Sequence, residues 1–343
     1  MRVDRLDNQD RGAWQAFIGR CDAATLFHDL RWSQAVRSAF HHRPMHLVAR
    51  SGDTVTGVLP LFGVRSVFTG RTLVSVPYGV YGGIAADDDE SFERLLAAAR
   101  RLGRRLGAGY VELRHLEPNG FDLPGTDAYV TFIGPLPDTE EGCLAALPRK
   151  ARAAARHAIK RHGLQARFGR QYLGAVHDLY ARNVRRLGSP VYPRRFFEAL
   201  ADCFGDACVF QVVLLDDAPV AGLVSFVFRD RMMPYFSGSL PQYRHVNANN
   251  FLYLKAMAYG VAHGCRWFDF GRTRRANTGP YAFKVNQGFE PRPLPYQFLL
   301  TGARAVARVD PGQERFNLAQ QVWRRLPLGV TKWVGGVVTR SIP

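Results

Sequence analysis

No apolar run in the sequence approaches the ~18 residues that a membrane-spanning helix needs, so an integral membrane protein is not expected. Cysteine is scarce. Five residues (21, 143, 203, 208 and 265) form no Cys-x-x-Cys pair and are odd in number, which points to reduced thiols rather than a disulfide framework. No Cys/His cluster with ligand spacing accompanies them, so no metal is expected. The opening MRVDRLDNQDRGAW mixes charges of both signs and lacks an apolar core, unlike a signal peptide; the cytoplasmic expectation rests on the cysteines. Several catalytic signatures are missing too: G-x-S-x-G, H-E-x-x-H, G-x-x-x-x-G-K-[ST], and a G-x-G-x-x-G that opens a helix.

Acids are short in one half only. Residues 1–149 carry 17 Lys+Arg against 18 Asp+Glu, whereas residues 150–343 carry 29 against 11. The formal charge of +17 therefore resides in the second half, a surface suited to RNA, phosphorylated substrates or anionic headgroups. Arginine supplies 41 of the 46 cations, and base composition alone could explain that preference over lysine, though not the missing acids.

What is present suits a globular protein: 343 residues, 47% hydrophobic and 22% charged, room for two domains of about 150 residues. One plan repeats in the two halves. HLVARSGDTVTGVLPLFGVR alternates apolar and polar residues around a Gly-Asp turn, and VFQVVLLDDAPVAGLVSFVFRD does so around Asp216, Asp217 and Ala218. Each is followed by a strand-like stretch, TLVSVPYGVYGG or MMPYFSGSL. A helix comes next: one over about 87–106 with acids first and arginines last, the other over about 250–263 and apolar nearly all round. Each helix closes on glycine and feeds a strand, Gly107–Leu113 or Gly264–Phe270. The spacing predicts an α/β (α+β) chain built by tandem duplication, with domains at 1–145 and 146–300 and a basic tail at 301–343.

Hairpin, strand, helix, strand is the core order of the GNAT acyltransferase fold, and two such units resemble the FemAB family of peptidyl and aminoacyl transferases. NNFLYLKAMAYGVAHGCRWFDFGRT and GPYAFKVNQGFEP are similar to that family's helix, its "fDfgg" strand and its "Y-x-FK-x-x-x-GF" segment. LPRKARAAARHAIKRHGL and YARNVRRLGSPVYPRRFF are similar to the FemAB-related branch encoded with PEP-CTERM/exosortase and exopolysaccharide systems. The resemblance implies an acyltransferase that moves an aminoacyl or acyl group onto an amine of a cell-envelope or exopolysaccharide precursor, phosphorylated or lipid-linked. It also implies an aminoacyl-tRNA donor and no bound cofactor.

Acyl-CoA is the alternative donor, acting on an amino sugar. Acetyl-CoA enzymes of this fold read Q/R-x-x-G-x-G/A before the second helix, so that bare amides wrap the pyrophosphate. Here Pro241-Gln-Tyr-Arg-His-Val-Asn-Ala-Asn-Asn250 replaces those glycines, which speaks against CoA. A further alternative is a non-catalytic protein that binds RNA or an anionic membrane.

Candidate residues follow. Residues 142–177 hold eight cations and no acid. On a helix running from Pro148 to Gly163, Arg149, Arg152, Arg156 and Lys160 form one stripe, either an anion site or a solvated connector. After an expected turn at Thr278-Gly-Pro280, Lys284 lies among Tyr281, Phe283 and Phe289. The resemblance places Phe283 on the terminal base and Lys284 at the developing negative charge; a surface lysine beside core aromatics is the other reading. Asp269 could accept the amine's proton or bridge to Arg272. Glu112 with Arg114 reads as structural. The loop Pro77–Gly83 offers Tyr78 and Tyr81, which the resemblance places in an acceptor groove and which tight turns explain equally. Arg185, Arg186, Tyr192 and Arg195 are a second acceptor-side cluster. The histidines show no spacing for a triad or a metal. The tail from Val322 to Arg340 mixes tryptophan, aliphatics and cations without an acid, as interfacial membrane segments do and as a segment docked on the protein could.

Overall fold

The structure is a computed structural model that describes residues 1–66, 70–302 and 314–341, the last range by its backbone alone over 314–318. Part of the expected tail, 303–313, and the last two residues lie outside the described residues.

Two compact units form, and their limits differ from the expected ones. The first is Met1–Asp127 with Pro293–Gly312 and Val337–Pro343; the second is Ala128–Arg292 with Gln313–Gly336. The expected boundaries at 145 and 300 followed linear order, but two strands are exchanged. Tyr129–Pro135 lies in the second unit's sheet, where Ile133 pairs with Asp269. Tyr296–Leu300 lies in the first unit's sheet, where Phe298 pairs with Glu112. Each repeat thus takes an antiparallel strand from the other half of the chain.

In the first unit the hairpin Leu47–Ser51/Thr54–Leu59 turns on Gly52, whose φ of +59° suits a residue without Cβ. A second sheet follows, in which Gly70–Val74 pairs in parallel with Tyr110–Arg114, as Leu73 opposite Val111. The crossover helix Asp89–Arg105 joins them; the Asp88 carboxylate accepts from the Ser91 N–H at 2.7 Å and caps its first turn. Leu95, Ala99 and Leu102 of that helix pack on Leu47, Leu59, Leu73, Val111 and Leu299.

The second unit repeats the order. Cys208–Leu215 and Ala218–Phe228 form a hairpin whose two turn residues, Asp216 (φ 49°) and Asp217 (φ 60°), both sit in the left-handed region. That geometry matches the twist of the flanking strands. Arg231–Ser239 then pairs in parallel with Trp267–Asp269 through the crossover helix Ala248–Ala262. This helix buries Phe251, Leu252, Leu254, Ala256, Met257 and Gly260, in keeping with its all-round apolar sequence. The basic helix is Arg149–His162, ended by Gly163 at φ +59°, and it packs on the crossover helix through Ala151, Ala155 and Ala158.

Candidate functional site

The parallel pair at the centre of the second unit is short. Only Arg231 with Trp267 and Met232 with Phe268 are in register, while Arg231–Ser239 runs on for seven residues beyond. The two strands therefore part after Phe268, and the residue ending the shorter one is buried where their pairing stops. Asp269 ends it, 1% exposed; its Oδ1 accepts from the Gly271 N–H at 2.8 Å and its Oδ2 lies 3.5 Å from the Arg231 guanidinium. The geometry brings in Arg231 from the neighbouring strand, a contact the sequence did not suggest. Arg272 lays its guanidinium over the Tyr129 ring at 4.7 Å.

Lys284 lies in the last turn of a helix, Thr278–Asn286, so Thr278–Pro280 opens a helix where a free turn was expected. Pro280 is tolerated because a first-turn residue needs no backbone N–H partner. A surface position for Lys284 is overturned: the residue is 9% exposed. Its Nζ donates to the carbonyls of Phe270 (2.7 Å), Gly271 (2.9 Å) and Arg272 (3.5 Å), with the Phe132 and Phe270 rings 5.3 and 5.8 Å away. Burial pulls its pKa from 10.5 down to about 7; the Asp269 carboxylate opposes that shift and Arg272 adds to it. The amine thus holds the turn that ends the short strand and changes charge near neutrality.

Tyr281 and Phe283 flank it. Tyr281 meets Phe132 edge-on at 5.4 Å, and half-buried Phe283 packs at 5.2 Å from Tyr253, so both join the second core rather than projecting freely. Next along the chain, Gln287 is 3% exposed, and neither of its amide atoms has a hydrogen-bond partner among the described residues. Sequence reasoning missed it, because a glutamine after a helix carries no signal until its burial is seen.

The cationic residues gather in the second unit. Arg149, Arg156 and Lys160 are exposed and Arg152 is half-buried, its guanidinium 3.3 Å from the Ala145 carbonyl. The turn before the crossover helix closes as a 3-10 helix, Pro241–Val246. It meets the basic helix through three histidines: His157 and His162 have ring centroids 4.8 Å apart, and His162 lies 6.0 Å from His245. Desolvation, and then repulsion by His157, His245 and Arg161, lowers the His162 pKa. Desolvation together with Arg244 and Arg324 also lowers that of Arg186, which bonds Asn183 at 2.8 Å. Arg185 is half-buried beside it on the helix Leu173–Leu187, and Arg195 is exposed. Tyr192, in contrast, is packed among Tyr180, Phe196 and Phe236.

In the first unit the two tyrosines proposed for an acceptor groove are inside. Tyr78 is 4% and Tyr81 1% exposed. The Tyr78 hydroxyl meets His42 Nε2 at 2.7 Å and donates to the Thr339 carbonyl at 3.1 Å, and its ring stacks on Phe40 at 4.0 Å. Buried Arg114, paired with Glu112 at 2.7 Å, donates to the carbonyls of Val76 and Gly79 while its own carbonyl accepts from Gly82 and Gly83. That clamp folds the loop inward. An open basin of this unit lies elsewhere, about 970 Å³ and lined by Arg5, Arg11, Arg37 and Arg43 against the single acid Asp7. His42 and His46 also line it, but burial lowers them to about 4 and about 3, so at neutral pH its charge comes from arginine. The balanced charge of the first half concealed this cluster; the run Arg37-Ser-Ala-Phe-His-His-Arg43 was its one visible trace. Among the described residues no group of three or more His, Cys, Asp or Glu could hold a metal ion.

The model described as "Acetyltransferase (GNAT) domain" matches residues 146–285. Of solved structures, the chain is similar to FemX (TM-score 0.69, 15% identity, 88% of this chain and 98% of that one). The chain has a FemAB-like tandem GNAT fold. It is also similar to a tandem GNAT protein from the clavulanic acid biosynthesis pathway (TM-score 0.55, 15% identity, 89% and 99% covered). A third is the C-terminal domain of a putative lysylphosphatidylglycerol synthetase from Agrobacterium fabrum (0.56, 15%, 87% and 94%). A search of curated proteins finds no match. The second GNAT unit is thus an acyltransferase-type domain, and the parted strands, Asp269 and Lys284 all lie within the matched residues.

Proposed function

We propose that this tandem GNAT protein transfers an aminoacyl group from its tRNA ester to an amine of a phosphorylated cell-envelope or exopolysaccharide precursor. The amine nitrogen attacks the ester carbonyl, a C–N bond forms, the C–O bond to the ribose breaks, and the ribose oxygen leaves with a proton. Such a reaction asks the protein for positioning and for charge stabilisation at the carbonyl oxygen. Protonated Lys284, held on the turn where the parted strands cease to pair, would supply the second, and Asp269 is a candidate to receive the amine's proton.

The observation that carries the choice of donor is the extent of the cationic surface in the second unit. The stripe Arg149–Lys160 alone spans about 17 Å of helix. It passes through the histidines to Arg244 and Arg186. A pyrophosphate needs a compact cradle of backbone amides, whereas a nucleic-acid backbone needs a track of this kind. The Pro241–Val246 turn, with side chains at every position, offers no such cradle. The arginine basin of the first unit is the candidate seat for the acceptor's phosphate. Two neighbours support the direction, since one is FemX and another is named for a lysyl-phosphatidylglycerol product, an aminoacylated lipid.

A second reading, acyl-CoA as donor, is favoured by the parted strands, through which GNAT enzymes admit that donor. Affinity for a mixed aminoacyl-tRNA pool against the same pool uncharged, at about 0.2 M salt to suppress non-specific binding, decides between them. Preference for charged tRNA, lost in Lys284→Ala, is expected. Equal affinity overturns the tRNA donor and makes acyl-CoA the leading reading.

A further inference from the structure

The last described α-helix, Leu328–Val338, buries Thr331 and Gly335 and exposes Val330, Trp333 and Val337, with Leu328, Val334 and Val338 half-buried. Among the described residues the three most exposed large apolar side chains are Trp333 (77%), Val337 (65%) and Val322 (54%), and Val330 is 40% exposed. Val330, Trp333 and Val337 recur at spacings of three and four, so they form one stripe opposite the buried pair.

The docking that sets this orientation is specific. A Cβ on Gly335 would lie 2.4 Å from the Val191 carbonyl oxygen, so only glycine permits the approach. Lys332 donates to the Asp178 carboxylate at 2.5 Å. The helix is therefore held by its small face, and turning its tryptophan inward would break both contacts.

Charge accompanies the apolar stripe. Residues 315–343 contain five cations and no acid. Of these, Arg324, Arg325 and Arg340 are exposed, and Leu187, 48% exposed, adjoins the preceding helix, where its carbonyl accepts from Arg324 at 3.4 Å. An exposed tryptophan and aliphatics flanked by arginines, with the contacting acid Asp178 already paired to Lys332, match a bilayer interface: the apolar stripe enters below the headgroups and the guanidiniums meet lipid phosphates. Among the described residues no helix is long and apolar enough to span, so contact would be peripheral.

We propose that the Val322–Arg340 region docks the protein onto a membrane surface containing anionic phospholipid. This does not depend on which acyl group is transferred. The test is sedimentation of the full chain with vesicles of phosphatidylcholine containing about 30% phosphatidylglycerol, at about 0.15 M salt. Expected are binding to these vesicles and not to pure phosphatidylcholine, and about tenfold weaker binding in Trp333→Ser. A comparable loss is expected in Arg324→Gln/Arg325→Gln, since each cation near such a surface contributes on the order of a few-fold in affinity. Trp333 is exposed, so its substitution leaves the fold intact, and an unchanged thermal midpoint checks this.

Absence of binding by the wild type overturns the proposal, as does undiminished binding by Trp333→Ser. Binding abolished by Arg149→Gln/Arg152→Gln/Arg156→Gln/Lys160→Gln but kept in Trp333→Ser would assign the lipid contact to the basic helix and overturn it too. Self-association removed by Trp333→Ser, without vesicle binding, would show instead that a second copy covers the stripe.

Discussion

Raising the pH from 7 to 9 will stabilise the wild-type chain relative to Lys284→Met by about 2 kcal/mol. The unfolded lysine titrates at its ordinary 10.5 and the folded one at about 7. Between those values the unfolded state binds one proton more, so stability rises with pH there; the penalty is present in full below about pH 7 and gone above about 10.5. Relative to a neutral amine the penalty is about 4 kcal/mol at pH 7 and about 2 kcal/mol at pH 9. Methionine keeps the length of the side chain and removes the titration, so groups common to both proteins cancel. The variant also strips the carbonyls of Phe270 and Gly271 of a donor, a cost of about 1–3 kcal/mol each that does not vary with pH. The assay is urea unfolding of both proteins at several pH values, each transition fitted separately because two units need not unfold together. A difference between the two proteins that stays flat from pH 7 to 9 would refute the reasoning. It would mean that the carbonyl oxygens hold the ammonium fully charged despite its burial.

The same titration bears on the reaction: if the ammonium stabilises the carbonyl oxygen, the rate of transfer falls as pH rises through about 7, and a rate that rises there would assign Lys284 as a base instead. Tyr78→Phe will lower stability by about 1–2 kcal/mol through the lost His42 and Thr339 contacts while leaving acceptor affinity unchanged, read by denaturation and by binding. Arg37→Gln/Arg43→Gln should weaken binding of a phosphorylated acceptor about tenfold or more with an unchanged melting temperature. Gly238→Ala will cost about 3 kcal/mol or more, because its Cβ would lie 2.2 Å from the Leu179 carbonyl oxygen, where backbone must move; denaturant midpoints check this.

The sequence by itself determined the local elements and their repetition. Alternation around Gly52 and around Asp216-Asp217 specified two hairpins, helical spacing and Asp88 specified one crossover helix, and Gly163 ended the basic helix. These features depend on neighbours a few residues apart, which the period of the pattern reports directly. The aromatic and basic context of Lys284 marked its segment, and the family resemblance pointed to the lysine itself.

Tertiary structure alone decided the rest. Strands 129–135 and 296–300 are short segments buried on both faces, whose own sequence does not name the sheet they enter, so only folding assigns each to the other half's sheet. Tyr78 and Tyr81 look accessible in a glycine-rich loop until Arg114, more than thirty residues away, clamps that loop inward. Lys284 finds its carbonyls a dozen residues upstream, across a helix read as a turn. The four arginines of the basin are spread from position 5 to position 43, and their convergence is created by the fold. Contacts of this kind depend on which surfaces meet in space, and a one-dimensional pattern records what each surface is without recording what it meets.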